Sequence, residues 1–220
     1  MPKDPAARYY AAGRGAAEHA GAGVRGPQRS KARIKRCVWI LALTPRAMPL
    51  TGGSKALRAL GMKNAILNAG GDLRAYGRRG VRPWHIGIRH PRAPGVFASV
   101  EIETDESILT SGDYERFFIY NRKRYHHVID PRTGYPVRKA ICATVIHRSA
   151  AVGDAPATAL LVAGPDHWEA LAQAMGIKQA MLVDAAGNIH VTSKLRERIR
   201  FHVDPGRSIV KRALTDDERG

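Results

Sequence analysis

Cysteine is scarce in this chain: Cys37 and Cys142 are the only two in 220 residues. Neither has a neighbour at metal-ligand spacing, and two distant cysteines make no disulfide framework. Acidic residues are also few, 19 against 36 Lys and Arg, which leaves a formal charge of +17. Such an excess suits anionic partners: nucleic acid, a membrane surface or a phosphorylated ligand. Long apolar runs are missing, and none reaches the roughly 18 residues that span a bilayer. Cys37 to Leu43 is a short apolar run behind Lys35-Arg36. It lies far from the N-terminus, has no small-residue cleavage site after it, and lacks the small and apolar residues that precede a lipoprotein cysteine. As it stands, the sequence reads as cytoplasmic, with no transmembrane segment.

Much of the charge sits in one place. Residues 1–50 hold ten Lys and Arg against two acids, Asp4 and Glu18. Ala, Gly and Arg dominate there, and the apolar residues follow neither the period of a strand nor that of a helix. A disordered, basic, low-complexity segment is expected over 1–50. It has no interleaved aromatics and no nucleic-acid motif, so a nucleic-acid partner rests on charge alone. A folded domain is expected over 51–205, followed by a polar tail over 206–220. With 44% hydrophobic residues the chain can bury a core of ordinary size.

Inside the domain the pattern predicts helices at Ser54–Leu60, Ala155–Val162 and Trp168–Met175, with Gly61 and Gly176 as C-terminal stops. Strands are expected at Lys63–Asn68, Trp84–His90, Phe97–Ile102, Ile108–Ser111 and Ile141–His147. Hairpins are expected around Asn121-Arg122-Lys123 and around Ala185-Ala186-Gly187. Many hairpin strands with few helices make an α+β fold, a mixed, largely antiparallel sheet with flanking helices.

Three stretches carry candidate chemistry. In His126-His127-Val128-Ile129-Asp130-Pro131-Arg132-Thr133-Gly134-Tyr135-Pro136 a strand runs into a rigid turn, and alternation sends His126 and His127 to opposite faces. Turn chemistry alone fits either a ligand site or an aspartate bonded to its own backbone. In Ser149 to Ala159, Asp154 and Thr158 stand at i and i+4 and share a helix face, an arrangement that suits a hard cation such as Mg²⁺. The same residues also fit a helix whose N-cap is Asp154, with Pro156 in its first turn. Asn68-Ala69-Gly70-Gly71-Asp72 is a glycine pair after a strand, which is by itself a turn; it lacks the pattern of a dinucleotide fingerprint or a P-loop.

In order and spacing these stretches, with Thr110-Ser111-Gly112-Asp113-Tyr114-Glu115-Arg116, resemble the ApbE-like flavin transferases, the FAD:protein FMN transferases. The resemblance runs from about Ser54 to Val203. It implies the ApbE-like fold and Mg²⁺-dependent transfer of FMN from FAD to a Ser or Thr hydroxyl of an acceptor protein, with AMP released. It implies metal ligation by Asp154 and Thr158, a catalytic His127 at the active site, with either it or a nearby carboxylate as the base, and a flavin site lined by Gly70, Gly71, Asp72 and Ser111. Members of the family carry an Asp-x-Gly-Gly-x-x-Lys-Gly segment before the helix seen here at Ser54, and many act in the periplasm or at a membrane. Gly52-Gly53 and Lys55 only echo that segment, and residues 1–50 have the composition of a GC-rich frame read out of register. An N-terminally truncated or frameshifted member is therefore expected. The alternatives are a non-catalytic remnant with weak or no flavin binding, and a basic nucleic-acid-binding protein; salt-dependent DNA retention would mark the latter.

Overall fold

The computed structural model describes residues 47–102 and 104–202. The segment expected to be disordered therefore lies outside the described residues up to position 46, as does the tail over 206–220. The first described helix, α1, spans Ala47–Ala59 and starts earlier than the Ser54 expected. Leu50 explains the extension: it is buried to 2% exposure in the core beneath the helices.

Six strands form the central sheet: β1 (Ala65–Ala69), β2 (Asp72–Tyr76), β5 (Glu106–Gly112), β10 (Ala140–His147), β11 (Ala180–Asp184) and β12 (Ile189–Val191), in the spatial order β1-β2-β5-β10-β11-β12. Every pairing in it is antiparallel. Three more strands, β3 (Trp84–Arg89), β4 (Val96–Ile102) and β13 (Ile199–Phe201), make a second antiparallel sheet with β4 in the middle. Two small hairpins complete the strands: β6 (Phe117–Tyr120) with β7 (Lys123–His126), and β8 (Ile129–Asp130) with β9 (Tyr135–Pro136). The remaining helices are α2 (Ala150–Ala163), α3 (Trp168–Ala174) and the short α4 (Ser193–Arg196). The α+β, largely antiparallel architecture expected from the sequence is what forms.

Alternation along the central strands builds two cores, one on each face. Leu109, Ala143, Val145 and Leu182 point toward α1, α2 and α3. Ile108, Cys142, Ile146, Met181 and Val183 point toward the three-stranded sheet and meet Ile86, Val100 and Ile102 there. The layers are thus helices, central sheet and small sheet, the arrangement that lets a two-faced sheet bury both sides.

Helix α2 lies closest to the chemistry. Ser149 is its N-cap, in extended backbone, and its hydroxyl accepts from the Val152 amide. Asp154 is therefore an interior helical residue and not the cap, which corrects one of the two sequence readings. Pro156 falls inside the helix, beyond the first turn. It supplies no N–H to the Val152 carbonyl one turn back, and Val152 is 44% exposed. Gly153 lets α2 sit down on the sheet: a Cβ there would be 2.4 Å from Leu109 Cδ1 and 3.2 Å from His147 Cβ.

Candidate active site

Three elements converge on one end of the helix-facing side of the central sheet. The first is the β1–β2 hairpin. Its register pairs Ala69 with Asp72, leaving Gly70-Gly71 as a two-residue turn. Both glycines have positive φ, 68° and 105°, as a type I′ turn requires. Asn68 Oδ1 accepts from the Gly71 amide at 2.9 Å. The turn delivers Asp72, buried at 4% exposure, whose Oδ1 accepts from the Thr110 amide on β5 at 3.1 Å.

The second element is the end of β5. Ser111 shares its face with Leu109, so its hydroxyl points toward α2. There it meets the third element: Ser111 Oγ lies 2.8 Å from Thr158 Oγ1. Asp154 lies one turn earlier on α2 and is buried at 7% exposure. The structure thus brings together Ser111 and Thr158 directly, places Asp72 on the residue beside Ser111, and puts Asp154 on the same helix stripe as Thr158. These donors are all oxygens, the chemistry a hard cation selects. Among the described residues there is no group of three or more His, Cys, Asp or Glu placed to hold a metal. A Mg²⁺ at Asp154 would draw on hydroxyls and on phosphate oxygens of a bound substrate, which is how that ion is usually held.

His127 is positioned by a separate set of contacts. It is exposed in the bend between β7 and β8, and its amide donates to the Arg116 carbonyl at 3.2 Å. Its neighbour His126 is inward and buried at 3% exposure, so the two imidazoles do face opposite ways. His126 Nε2 lies 2.8 Å from the Val137 carbonyl, and its Nδ1 accepts from the Val128 amide at 3.3 Å. An Nδ1 that accepts leaves the proton on Nε2, which donates to Val137. Burial pushes the His126 pKa below its ordinary value; the Val137 bond opposes this without cancelling it.

The turn that follows is rigid in the way its sequence suggests. Asp130 Oδ1 accepts from the Arg132 amide and Nε, both at 2.9 Å, and Oδ2 from Arg132 Nη2 at 2.8 Å. The Gly134 amide closes onto the Asp130 carbonyl at 2.8 Å, with Gly134 at φ 73°. Burial raises the Asp130 pKa, but these bonds from Arg132 outweigh it and hold the carboxyl below its usual range. The aspartate of this turn is bonded to its own loop through Arg132, which leaves the exposed His127 beside it as the candidate for chemistry.

Other polar contacts near the site have no local sequence signal. Arg74 on β2 is nearly buried: its guanidinium donates to Ser54 Oγ at 3.1 Å, Ser107 Oγ at 2.9 Å and the Arg148 carbonyl, and it pairs with Asp105 at 2.8 Å. It ties α1, β2, β5 and the loop before α2 into one block. Asp113, next to Gly112, is held by Arg92 through two bonds of 2.6 Å. Gly112 itself has no room for a side chain, since a Cβ would lie 2.5 Å from the Tyr114 ring. A cavity of about 460 Å³, lined in part by His85, Ser99, Glu101, Glu106, Arg198 and Arg200, opens at the three-stranded sheet; none of the expected site residues lines it.

Comparison with known proteins bears on this arrangement. The model of the ApbE family matches residues 52–183, which hold every expected site residue. A Rhodobacter capsulatus protein named FAD:protein FMN transferase is 40% identical over 143 residues, 65% of this chain and 27% of the relative. A Vibrio cholerae protein of the same name is 37% identical over 131 residues, 58% of this chain and 39% of the relative. The chain thus spans well under half the length of these curated relatives. Among solved structures, the Thermotoga maritima ApbE protein superimposes with a TM-score of 0.64 at 31% identity, covering 70% of this chain and 51% of that one. The apo form of the Pseudomonas stutzeri flavinyl transferase ApbE gives 0.59 at 32% identity, covering 73% and 50%.

Proposed function

The chain belongs to the ApbE family, and on that premise we propose that it carries out Mg²⁺-dependent transfer of FMN from FAD to a Ser or Thr hydroxyl of an acceptor protein. The observation that carries this reading is the joining of Ser111, on β5, to Thr158, on α2, at 2.8 Å, with buried Asp154 one turn away. The reading is supported by the oxygen chemistry of these side chains, which suits a metal and a diphosphate, and by the bond from the Thr110 amide, next to Ser111, to Asp72 at the end of the Gly70-Gly71 turn.

In the reaction, the acceptor hydroxyl oxygen forms a bond to the phosphorus of the FMN half. The bond from that phosphorus to the bridging oxygen breaks, and the bridging oxygen leaves with AMP. The hydroxyl proton passes to a base, the role proposed for His127. Asp154 and Thr158 would hold the Mg²⁺, which when bound neutralises charge on the diphosphate oxygens. Gly70 and Gly71 let the backbone approach the ligand closely because neither carries a side chain. Asp72 fixes that turn against β5 through the Thr110 amide. Ser111 orients Thr158 through their shared hydroxyl bond.

Titration of the full chain with FAD, followed by quenching of flavin fluorescence, tests the reading. Saturable binding that strengthens with Mg²⁺, and loses that dependence in Asp154→Ala, is expected. Binding indifferent to Mg²⁺ in both proteins would overturn the metal assignment, and no binding at all would overturn the whole reading.

A further inference from the structure

The β6–β7 hairpin carries apolar side chains on both of its faces. Phe117, Phe118 and Ile119 follow one another on β6 with exposures of 45%, 41% and 57%. Register pairs Phe117 with His126 and Ile119 with Arg124 on one face, and Phe118 with Tyr125 and Tyr120 with Lys123 on the other. The rings are ordered by their neighbours. Phe118 stacks on Tyr125 with centroids 5.3 Å apart, and the Arg124 guanidinium lies 3.9 Å above the Phe117 ring. A run of three exposed apolar residues is a liability on a surface that meets only water.

Charge and position say what such a surface would meet. Arg116, Arg122, Lys123 and Arg124 lie in or beside the hairpin; of the acids close by, Glu115 and Asp113, the latter is already paired with Arg92. The turn residues Asn121 and Arg122 have positive φ, 46° and 58°. Arg122 holds this backbone, which glycine adopts with less strain, and thereby places a cation at the tip. At its base the hairpin adjoins His127, whose amide donates to the Arg116 carbonyl at 3.2 Å.

We propose that the β6–β7 hairpin is the docking arm for the acceptor protein, gripping an acidic segment with apolar side chains next to the hydroxyl that receives FMN. The proposal rests on the flavin-transfer reading and names the partner's chemistry at that same site. An anionic membrane would also satisfy cations and aromatics, but the arm's attachment beside His127 favours a partner that has to reach the base.

The test uses the full chain, the variants Phe117→Ser/Ile119→Ser and Arg122→Glu/Lys123→Glu, and an acceptor protein that a full-length family member flavinylates. Acceptor binding is read by surface plasmon resonance, FAD binding by fluorescence, and lipid binding with phosphatidylcholine–phosphatidylglycerol vesicles. The proposal expects wild type to bind the acceptor and each variant to bind it about tenfold or more weakly, as loss of a contact-centre side chain does, with FAD binding unchanged. It is overturned if the variants bind the acceptor as wild type does, or if wild type does not bind it. Variants that lose vesicle binding while keeping the acceptor would assign the arm to a membrane instead. FAD titration of wild type judges the flavin-transfer reading separately, because it involves no acceptor.

Discussion

Thr158 donates or accepts a single hydroxyl bond, yet that bond links α2 to the end of β5 at the point where the proposed metal donors gather. Replacing Thr158 by Val removes the hydroxyl and keeps the shape, leaving Ser111 without this partner. A net loss of about 0.5–1.5 kcal/mol of stability is expected, as for a typical protein hydrogen bond. Urea denaturation measures it, and the double variant with Ser111→Ala should cost less than the sum of the single ones. At the same scale Cys142 is inert. Burial pushes its thiol up to about 12, with the nearby Asp113 carboxylate adding to the shift. Since the thiolate is the reactive form, Cys142 should escape alkylation by iodoacetamide at neutral pH in the folded protein and react in urea, as read by peptide mass mapping. The expected site residues came from the order and spacing of short motifs that resemble the ApbE family; turn and helix chemistry alone did not single them out. Their meeting had no such signal: Ser111 and Thr158 lie 47 residues apart, and nothing local to either indicates the other. Arg74 escaped notice for the same reason, since its partners come from distant segments.

Among the elements, α2 depends on Gly153. A valine there would drive a branched side chain into Leu109 and His147, which are packed against the helix. We expect Gly153→Val to destabilise by about 1–3 kcal/mol, the usual cost of overpacking a core, with a lowered denaturation midpoint as the readout. An unchanged midpoint would mean the helix–sheet gap is looser than the geometry states. Elements were legible where one face is apolar and the boundaries carry turn residues, as in β3, β4, β10 and the hairpin at Asn121-Arg122. Strand β2 was not, because Asp72 and Arg74 interrupt its apolar pattern and bond to partners in distant segments. Helix α2 was expected to begin at Ala155 because Asp154 suits an N-cap and Pro156 a first turn; Ser149 in fact caps it, and Gly153 is a packing residue. The short α4 and β13 are too brief to show a period.

At the scale of the whole molecule, pH should act on stability in two steps. Burial depresses the His126 pKa below its ordinary value of about 6.5. As pH falls through that value the unfolded chain takes up a proton that folded His126 refuses, so stability is lost downward from there to the folded pKa. Asp184 contributes below the ordinary carboxylate range. Its burial raises the pKa, but bonds from His190, Asn188 and the Ala186 amide outweigh this and lower it. The unfolded chain again protonates first, and stability falls further. Melting temperatures recorded from pH 7.5 to pH 3 should show both declines, with the upper one reduced in His126→Gln; a flat profile between pH 7 and pH 5 would contradict the upper step.

FMN transfer by this chain is proposed from the oxygen donors that meet at Ser111 and Thr158. Its most direct test mixes the purified chain with FAD, Mg²⁺ and an acceptor protein carrying a flavinylation motif, and follows acceptor mass and AMP by mass spectrometry. A full-length relative is run alongside, with Asp154→Ala as the control. The account predicts a mass gain matching FMN on the acceptor, equimolar AMP, and neither product in the Asp154 variant. An acceptor left unmodified by this chain while the relative labels it would contradict the claim.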